Sequence, residues 1–173
     1  SLFAYFYGVM RIMSGQYDTA LIMALCKGSE NPPNDTCTLM FADPFYQRPV
    51  GLTETTAAAL QMRLYMEKYG VTREQCAKVA VKNLGNALLN PYAHRKGRYS
   101  VADVLGSPPS ADPLTEMETA PKSEGMVAMV LSSEKRAKKL TDKPVWFRGY
   151  GSSLDTFYLG DRDLLDGQLR HAA

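Results

Sequence analysis

One short loop of the sequence concentrates positive charge in a form that suits a phosphate. His94, Arg95, Lys96 and Arg98 lie within five residues, together with Gly97. Guanidinium and ammonium groups bind phosphate oxygens through charge-assisted hydrogen bonds. The stretch is therefore a candidate anion-binding loop, and an ordinary solvent-exposed basic loop is the alternative interpretation.

Residues that commonly perform catalysis are otherwise sparse. The sequence has two histidines, His94 and His171, whereas a zinc site needs three or four clustered ligands. Its cysteines, Cys26, Cys37 and Cys76, are odd in number and lack Cys-x-x-Cys spacing, which favours reduced thiols over a disulfide framework or a metal site. No GxSxG, P-loop or GxGxxG motif occurs. The residues alone thus predict a domain without a bound metal and without a self-contained active site.

The overall composition narrows the class of protein. The 173 residues carry a net charge of only +2, which gives no electrostatic reason to expect nucleic acid as a partner. The sequence has no apolar run of about 18 residues and no signal peptide, so we expect no membrane span and a cytoplasmic location. Because Ser1 opens directly into an amphipathic stretch without a start methionine, we also expect a segment of a longer protein.

Apolar periodicity predicts the elements that would position these side chains. The short apolar run at 19–25 is typical of a strand buried on both faces of a sheet, and the run at 126–131 predicts a second buried strand. Residues 144–150 predict a third strand. Helical spacing precedes Gly15, and further helices are predicted over residues 53–69, 72–90, 100–105 and 134–139. Strands separated by helices predict an α/β fold with a mixed, mostly parallel sheet. The irregular and helical block at 27–122 looks like an insertion between strands.

Three segments together resemble the thiolase superfamily, in particular its archaeal and sterol-carrier-protein-type branch. Residues 14–18 (SGQYD), followed by an apolar strand, are similar to the "SGxYD" unit after the thiolase nucleophile. Residues 65–94 resemble the family's "YMxxYGxTxEQ…VKNHxNAxxNPxAH" pattern, and residues 112–125 resemble "ADPL…SPxSDG". Their order and spacing fit along nearly the whole chain.

The resemblance implies a thiolase-like layered fold, present in part, with a helical loop-domain insertion. Residues 1–26 would end the N-terminal thiolase half, and residues 27–122 would form a loop domain over coenzyme A. Residues 123–142 would return to the N-terminal sheet, and residues 143–173 would begin the C-terminal half. The nucleophilic cysteine would lie three residues before Ser1, and the other catalytic groups after Ala173. None of the three cysteines matches a catalytic position, so we expect them to be buried or structural.

Binding residues can be carried over more directly than catalytic ones. The resemblance places Pro121, Lys122 and Ser123 along the path of the pantetheine arm, beside the basic loop of His94, Arg95, Lys96 and Arg98. Val50 and Gly51 occupy the place of the family's Met-Gly turn near the acyl pocket. Leu84 replaces the usual histidine there. Such departures imply an altered substrate, or a relative without ordinary thiolase activity.

Three functions are therefore expected to compete. The first is an acyl-CoA thiolase that cleaves or condenses a β-ketoacyl-CoA, with acyl-CoA as substrate and no tightly bound cofactor. The second is a thiolase-like retro-aldolase acting on a coenzyme A thioester. The third is a noncatalytic subunit paired with a small zinc-ribbon/OB-fold protein. The resemblance also implies a homodimer or homotetramer and a role in lipid metabolism.

Overall fold

The computed structural model describes residues 2–28, 38–167 and 172 of the chain. Cys37 and His171 lie outside the described residues. The chain divides into two compact units. The first comprises residues 1–30, 124–152 and 172–173, and the second comprises residues 31–123 and 153–171. The predicted assignment of segments to parts of a larger fold stays a prediction.

The described elements alternate between helices and short strands. In chain order they are α1 (Leu2–Met13), β1 (Thr19–Cys26), α2 (Glu54–Tyr69), α3 (Arg73–Asn86), α4 (Val101–Leu105), β2 (Pro109–Ala111), β3 (Leu114–Thr115), β4 (Gly125–Ser132) and α5 (Glu134–Leu140). Single 3-10 turns cover Ala87–Leu89, Glu116–Glu118 and Leu159–Asp161. The predicted α/β composition is therefore confirmed. Among the described residues, none of the helices combines the length and the apolar character of a membrane-spanning segment.

The predicted parallel arrangement of the sheet is wrong. In the first unit, β1 and β4 pair antiparallel over their whole length, from Thr19 opposite Ser132 to Cys26 opposite Gly125. In the second unit, β2 and β3 are also antiparallel. A parallel pair requires a long connection, but a long connection does not require a parallel pair. The strand after the insertion returns beside β1 in the opposite direction.

The expected burial of both sheet faces is also not observed among the described residues. Exposed and half-buried residues alternate along most of β1, and most of β4 is exposed. Helix α1 covers one face at a close approach around Gly8, where an added Cβ atom would meet Ile22 and Leu131. A continuous apolar run therefore did not distinguish a strand covered on one face from a strand covered on both.

The third predicted strand, at 144–150, has no regular structure. Its aromatic residues pack on α1 instead: Phe147 meets Tyr5 edge to face, and Tyr150 stacks on Phe6 with ring centroids 4.1 Å apart. The aromatic content that suggested a strand thus reflects packing against a helix.

The second unit is organised by capped helices. Thr53 and Thr72 each form a capping box at the start of α2 and α3, and Gly70 ends α2 in the left-handed conformation at φ 64°. This confirms the predicted helix starts and the stop before Gly70. Helix α3 packs against α4, where Ala77 and Val104 are completely buried. The short helix predicted at 100–105 is confirmed as α4.

Candidate functional site

Helix α3 forms one wall of a cavity in the second unit. The Thr72 side chain accepts a hydrogen bond from the Gln75 amide, and the Gln75 side chain accepts one from the Thr72 amide, which fixes the start of the helix. Two turns further on, α3 presents Ala80, Asn83 and Leu84 to a cavity of about 420 Å³. The remaining described lining residues are His94, Arg95, Met117, Glu118, Thr119, Ala120 and Pro121. A helix, the basic loop and the segment before β4 therefore meet around one space.

Arg95 connects the basic loop to the segment that follows β3. Its Nη1 atom donates hydrogen bonds to the carbonyls of Glu116, at 2.7 Å, and Thr119, at 3.2 Å. Its Nη2 atom lies 3.5 Å from the Glu116 carboxylate. The guanidinium group binds several acceptors in one plane, so it fixes the spacing between the two segments.

The rest of the basic loop is held by main-chain contacts. The Gly97 amide donates to the Leu84 carbonyl at 3.2 Å, which attaches the loop to the end of α3. The Lys96 ammonium group donates to the carbonyls of Asn90 and Pro91 at 3.3 and 2.9 Å. Lys96 therefore stabilises its own loop and is directed to the preceding turn.

His94 and Ser123 form a polar pair near the cavity. His94 Nδ1 lies 2.6 Å from the Ser123 hydroxyl, which also lies 3.3 Å from the Pro121 carbonyl. The serine can donate to neutral His94, or accept from it while donating to Pro121. The pair therefore fixes the histidine ring without requiring one protonation state.

A charged network beneath the cavity fixes the 3-10 turn at Glu116–Glu118. Both carboxylate oxygens of Glu118 accept from Arg73, at 2.9 and 2.8 Å, in a bidentate pair. Glu118 also accepts from the backbone and hydroxyl of Thr115, at 3.0 Å each, and the same hydroxyl lies 3.0 Å from the Val104 carbonyl. The Glu118 side chain is only 6% exposed. A buried charge of this kind is tolerable only when it is paired.

The same network shifts the acidity of its members. Burial alone raises the pKa of Glu118, but hydrogen bonds from Arg73 and Thr115 outweigh it and hold that pKa below its usual value. The hydrogen bond to Glu118 raises the pKa of Arg73. Burial raises the pKa of the neighbouring Cys76 thiol. Cys76 is therefore less prone to form a thiolate than an ordinary cysteine, which is the opposite of a nucleophile's requirement.

The structure brings together some of the residues predicted from sequence and leaves others apart. Four line the cavity, and Ser123 is bonded to one of them; the four are Leu84, His94, Arg95 and Pro121. Lys96 is directed to the preceding turn, while the exposed Arg98 and Lys122 make no hydrogen bond or ion pair within the ranges that the structure describes.

The other predictions find less support in the geometry. Val50 is 79% exposed and Gly51 has a φ of 74°; neither is among the described residues lining the cavity with Leu84. Their role near an acyl pocket stays a prediction. Cys26 is exposed, so it is not a buried thiol, and the expected structural role stays a prediction; Cys76 is partly buried. The part of the chain that the structure describes contains no cluster of metal-ligating residues.

Sequence reasoning missed the pair that organises this site. Arg73 and Glu118 are 45 positions apart, and each also fits the ordinary pattern of a charged residue near a helix start or a turn. The local sequence signal was the capping box at Thr115, whose hydroxyl and amide bond Glu118. That signal indicates a fixed turn but not the arginine that neutralises it.

Comparison of the chain with known proteins indicates its family. The chain is 31% identical over 155 residues to an acetyl-CoA acetyltransferase of Methanothermobacter thermautotrophicus, covering 90% of this chain and 40% of the relative. It is 37% identical over 100 residues to the benzoylsuccinyl-CoA thiolase subunit BbsB of Thauera aromatica, covering 57% of this chain and 26% of that protein. No protein-family profile matches the chain.

A solved structure supports the same fold. The Ltp2-ChsH2(DUF35) aldolase superposes with a TM-score of 0.68 at 24% identity, covering 89% of this chain and 41% of that one. The chain belongs to the thiolase superfamily. It spans about 40% of the length of the acetyl-CoA acetyltransferases that it matches.

The Arg73–Glu118 pair predicts a specific dependence of stability on pH. Because folding lowers the pKa of Glu118, its stabilisation is complete at neutral pH and is lost as the pH falls through the acid range. We expect Glu118→Gln to lower the free energy of unfolding by about 3 kcal/mol at pH 7, since Arg73 then lacks its counter-charge. Denaturant titrations at several pH values measure this, and the difference from wild type should shrink with acid.

A matched control comes from an exposed ion pair. Glu134 pairs with Lys138 on α5, and that pairing lowers its pKa too, but both side chains are largely exposed. Glu134→Gln should leave the unfolding curves unchanged at every pH. If the free energy of unfolding changed with pH to the same extent in wild type and in Glu118→Gln, the pH dependence could not be assigned to the Arg73–Glu118 pair.

Proposed function

We propose that this chain supplies a coenzyme A-binding surface of a thiolase-type acyltransferase that acts on β-ketoacyl-CoA thioesters. The observation that carries the proposal is the cavity between α3 and the basic loop, whose walls are fixed by Arg95 and by the Arg73–Glu118 pair. The similarity to an acetyl-CoA acetyltransferase along 90% of the chain supports the same class of substrate. The activity would be thiolytic cleavage or its reverse, a Claisen condensation.

The chemistry of the lining fits coenzyme A as a substrate. Its phosphates require cations with available donors, and the exposed Arg98 and Lys122 provide them on segments flanking the cavity. Its neutral arm requires apolar contact with occasional polar partners. Leu84, Ala120 and Pro121 offer the former, and the His94–Ser123 pair offers the latter.

The described residues contribute binding to this proposal rather than the nucleophile. Cys76 has a raised pKa, and neither Cys26 nor Cys76 is among the described residues lining the cavity. The proposal therefore keeps the thiolate where the family resemblance implies it, outside these 173 residues. A homo-oligomeric assembly and a cytoplasmic location form part of the same proposal.

A retro-aldolase acting on a coenzyme A thioester is the second candidate. One observation favours it: the solved structure with the same fold is named as an aldolase, Ltp2-ChsH2(DUF35). The replacement of the family's usual histidine by Leu84 is also compatible with altered chemistry. A noncatalytic subunit paired with a zinc-ribbon/OB-fold protein is the remaining alternative.

The two reactions differ in their need for free coenzyme A. A thiolase transfers an acyl group to the thiol of free coenzyme A, whereas retro-aldol cleavage of a β-hydroxyacyl-CoA needs no acceptor thiol. For the protein that carries this chain, we expect acetoacetyl-CoA to lose its enolate absorbance only when free coenzyme A is present. Cleavage of a β-hydroxyacyl-CoA without free coenzyme A would support the aldolase, and inactivity on both would support the noncatalytic subunit.

The structure separates the roles of the basic residues in binding. Arg98→Ala should weaken coenzyme A binding about tenfold without changing the unfolding temperature, because Arg98 has no described partner to lose. Arg95→Ala should weaken binding and also lower the unfolding temperature, because the carbonyls of Glu116 and Thr119 lose their donor. Isothermal calorimetry and thermal unfolding measure the two effects.

Arg136 on α5 provides the matched control for this series. It is an exposed arginine in the other unit and is not among the described residues that line the cavity, so Arg136→Ala removes the same charge from a residue outside the proposed site. That variant should keep wild-type affinity. The loop would be an ordinary exposed basic segment if coenzyme A bound equally well to wild type, to Arg98→Ala and to the combined Arg95, Lys96 and Arg98 alanine variant.

A further inference from the structure

A second cavity in the same unit has a different chemical character. It encloses about 310 Å³ and shares no described lining residue with the cavity near His94. The apolar residues that line it are Phe41, Ala42, Leu52, Ala57, Phe157 and Leu159. A volume at the lower end of the range for small-molecule pockets suits a small organic group rather than a nucleotide.

Two aromatic side chains remain largely uncovered at this cavity. Phe41 is 68% exposed and Phe157 is 63% exposed, although both line the same space. Exposed aromatic rings beside one cavity leave apolar area that an apolar ligand would remove from water.

One buried polar group gives the apolar wall a directional contact. Gln47 lines the cavity and is only 8% exposed. Its Oε1 atom accepts from the Asp43 amide at 3.2 Å, which fixes the orientation of the side-chain amide because a backbone N–H requires an acceptor. The Nε2 group then carries two donor hydrogens and makes no hydrogen bond within the described ranges. Among the described residues, this Nε2 atom is not one of the fully buried polar atoms that lack a partner, so it stays accessible to a ligand.

The loop that carries Gln47 is held rigidly by its own side chains. The Asp43 carboxylate accepts from the amides of Phe45 and Tyr46, at 3.0 and 2.8 Å. The Arg48 guanidinium donates to the carbonyls of Leu39, at 3.1 Å, and Ala42, at 3.2 Å. The Gln47 donor is therefore fixed in place before any ligand arrives, which reduces the entropy cost of binding.

The charges around the cavity indicate a neutral ligand. Glu54 and Arg162 both line it, so their formal charges cancel. Arg162 is already engaged, donating to the carbonyls of Thr156 and Phe157. An anion would gain no excess of positive charge here, whereas a neutral carbonyl oxygen can accept from Gln47.

We propose that this cavity binds an aromatic or branched acyl group that carries a neutral carbonyl oxygen, with Gln47 as the residue that recognises the oxygen. The evidence for a binding site is the cavity itself and the position of Gln47 in its wall. Its assignment to the acyl part of a coenzyme A thioester rests on the proposed function.

A pair of small probes tests the oxygen contact directly. Acetophenone and ethylbenzene have nearly the same shape, and only the ketone can accept a hydrogen bond. Ligand-observed NMR titration of the 173-residue chain should show acetophenone binding about threefold to tenfold more tightly, the usual range for one hydrogen bond. Equal affinities would overturn the role of Gln47, and no binding of either probe would overturn the site.

Substitutions separate the donor from the structural role of Gln47. Gln47→Glu keeps an oxygen that accepts from Asp43 but removes the amide donor, so the preference for acetophenone should disappear at pH 8. The new carboxylate is buried, so this variant should also unfold at a lower temperature than wild type, and the probes are compared well below that temperature. Phe157→Ala should weaken both probes equally. A preference for acetophenone that persists in Gln47→Glu would contradict the proposal. If Gln47→Glu fails to fold, the probe pair on the wild-type chain decides alone.

The same measurements distinguish this proposal from the proposed function. Binding of acetophenone by the chain, combined with no turnover of any acyl-CoA by the protein that carries it, would retain the cavity and reject the acyltransferase. Turnover of acetoacetyl-CoA with no binding of either probe would reject the site at this cavity and retain the acyltransferase.

Discussion

The bidentate bond between Arg73 and Glu118 supports the cavity that α3 and the basic loop form in the second unit. It joins the first turn of α3 to the 3-10 turn after β3; the Glu118 side chain is almost completely shielded from water, and the Arg73 side chain is 24% exposed. An isolated charge in that position would be strongly destabilising, so the two segments are stable together and costly to separate. The carbonyls that hold Arg95 belong to the turn fixed by this pair and to the residue directly after it.

The basic residues of the loop have different roles in this arrangement. Arg95 and Lys96 donate hydrogen bonds to carbonyl groups, whereas the donors of Arg98 have no described acceptor and are available to a ligand. A cluster that looks uniform in sequence thus contains residues that shape the loop and a residue that can meet a phosphate. The distinction matters for function because a rigid frame places an available cation with less loss of entropy on binding.

Local chemistry made much of the fold predictable. The capping boxes at Thr53 and Thr72 and the left-handed Gly70 depend on neighbours within four residues, so the sequence contains the whole signal. Strand direction could not be predicted this way, because the apolar runs of β1 and β4 are compatible with either pairing. The stretch at 144–150 was misassigned for the same reason: its aromatic rings pack on a helix that lies more than 130 positions earlier.

The candidate site was also only partly predictable from the sequence. Family resemblance pointed to Leu84, His94 and Pro121, and these do line one cavity. It did not point to Arg73, Glu118 or Gln47, whose importance comes from burial and from partners that only the folded chain brings close. Residues that line the cavity near His94 were thus easier to find than residues whose role depends on burial and on partners in the folded chain.

Amide hydrogen exchange of the chain, with and without saturating coenzyme A, shows whether the basic loop and its neighbouring segment bind this ligand. If the fixed loop and the segment before β4 bind the ligand, exchange should slow at residues 94–98 and 119–123 and stay unchanged in β1. Unaltered exchange in both segments, or protection confined to β1, would mean that coenzyme A does not bind at this cavity.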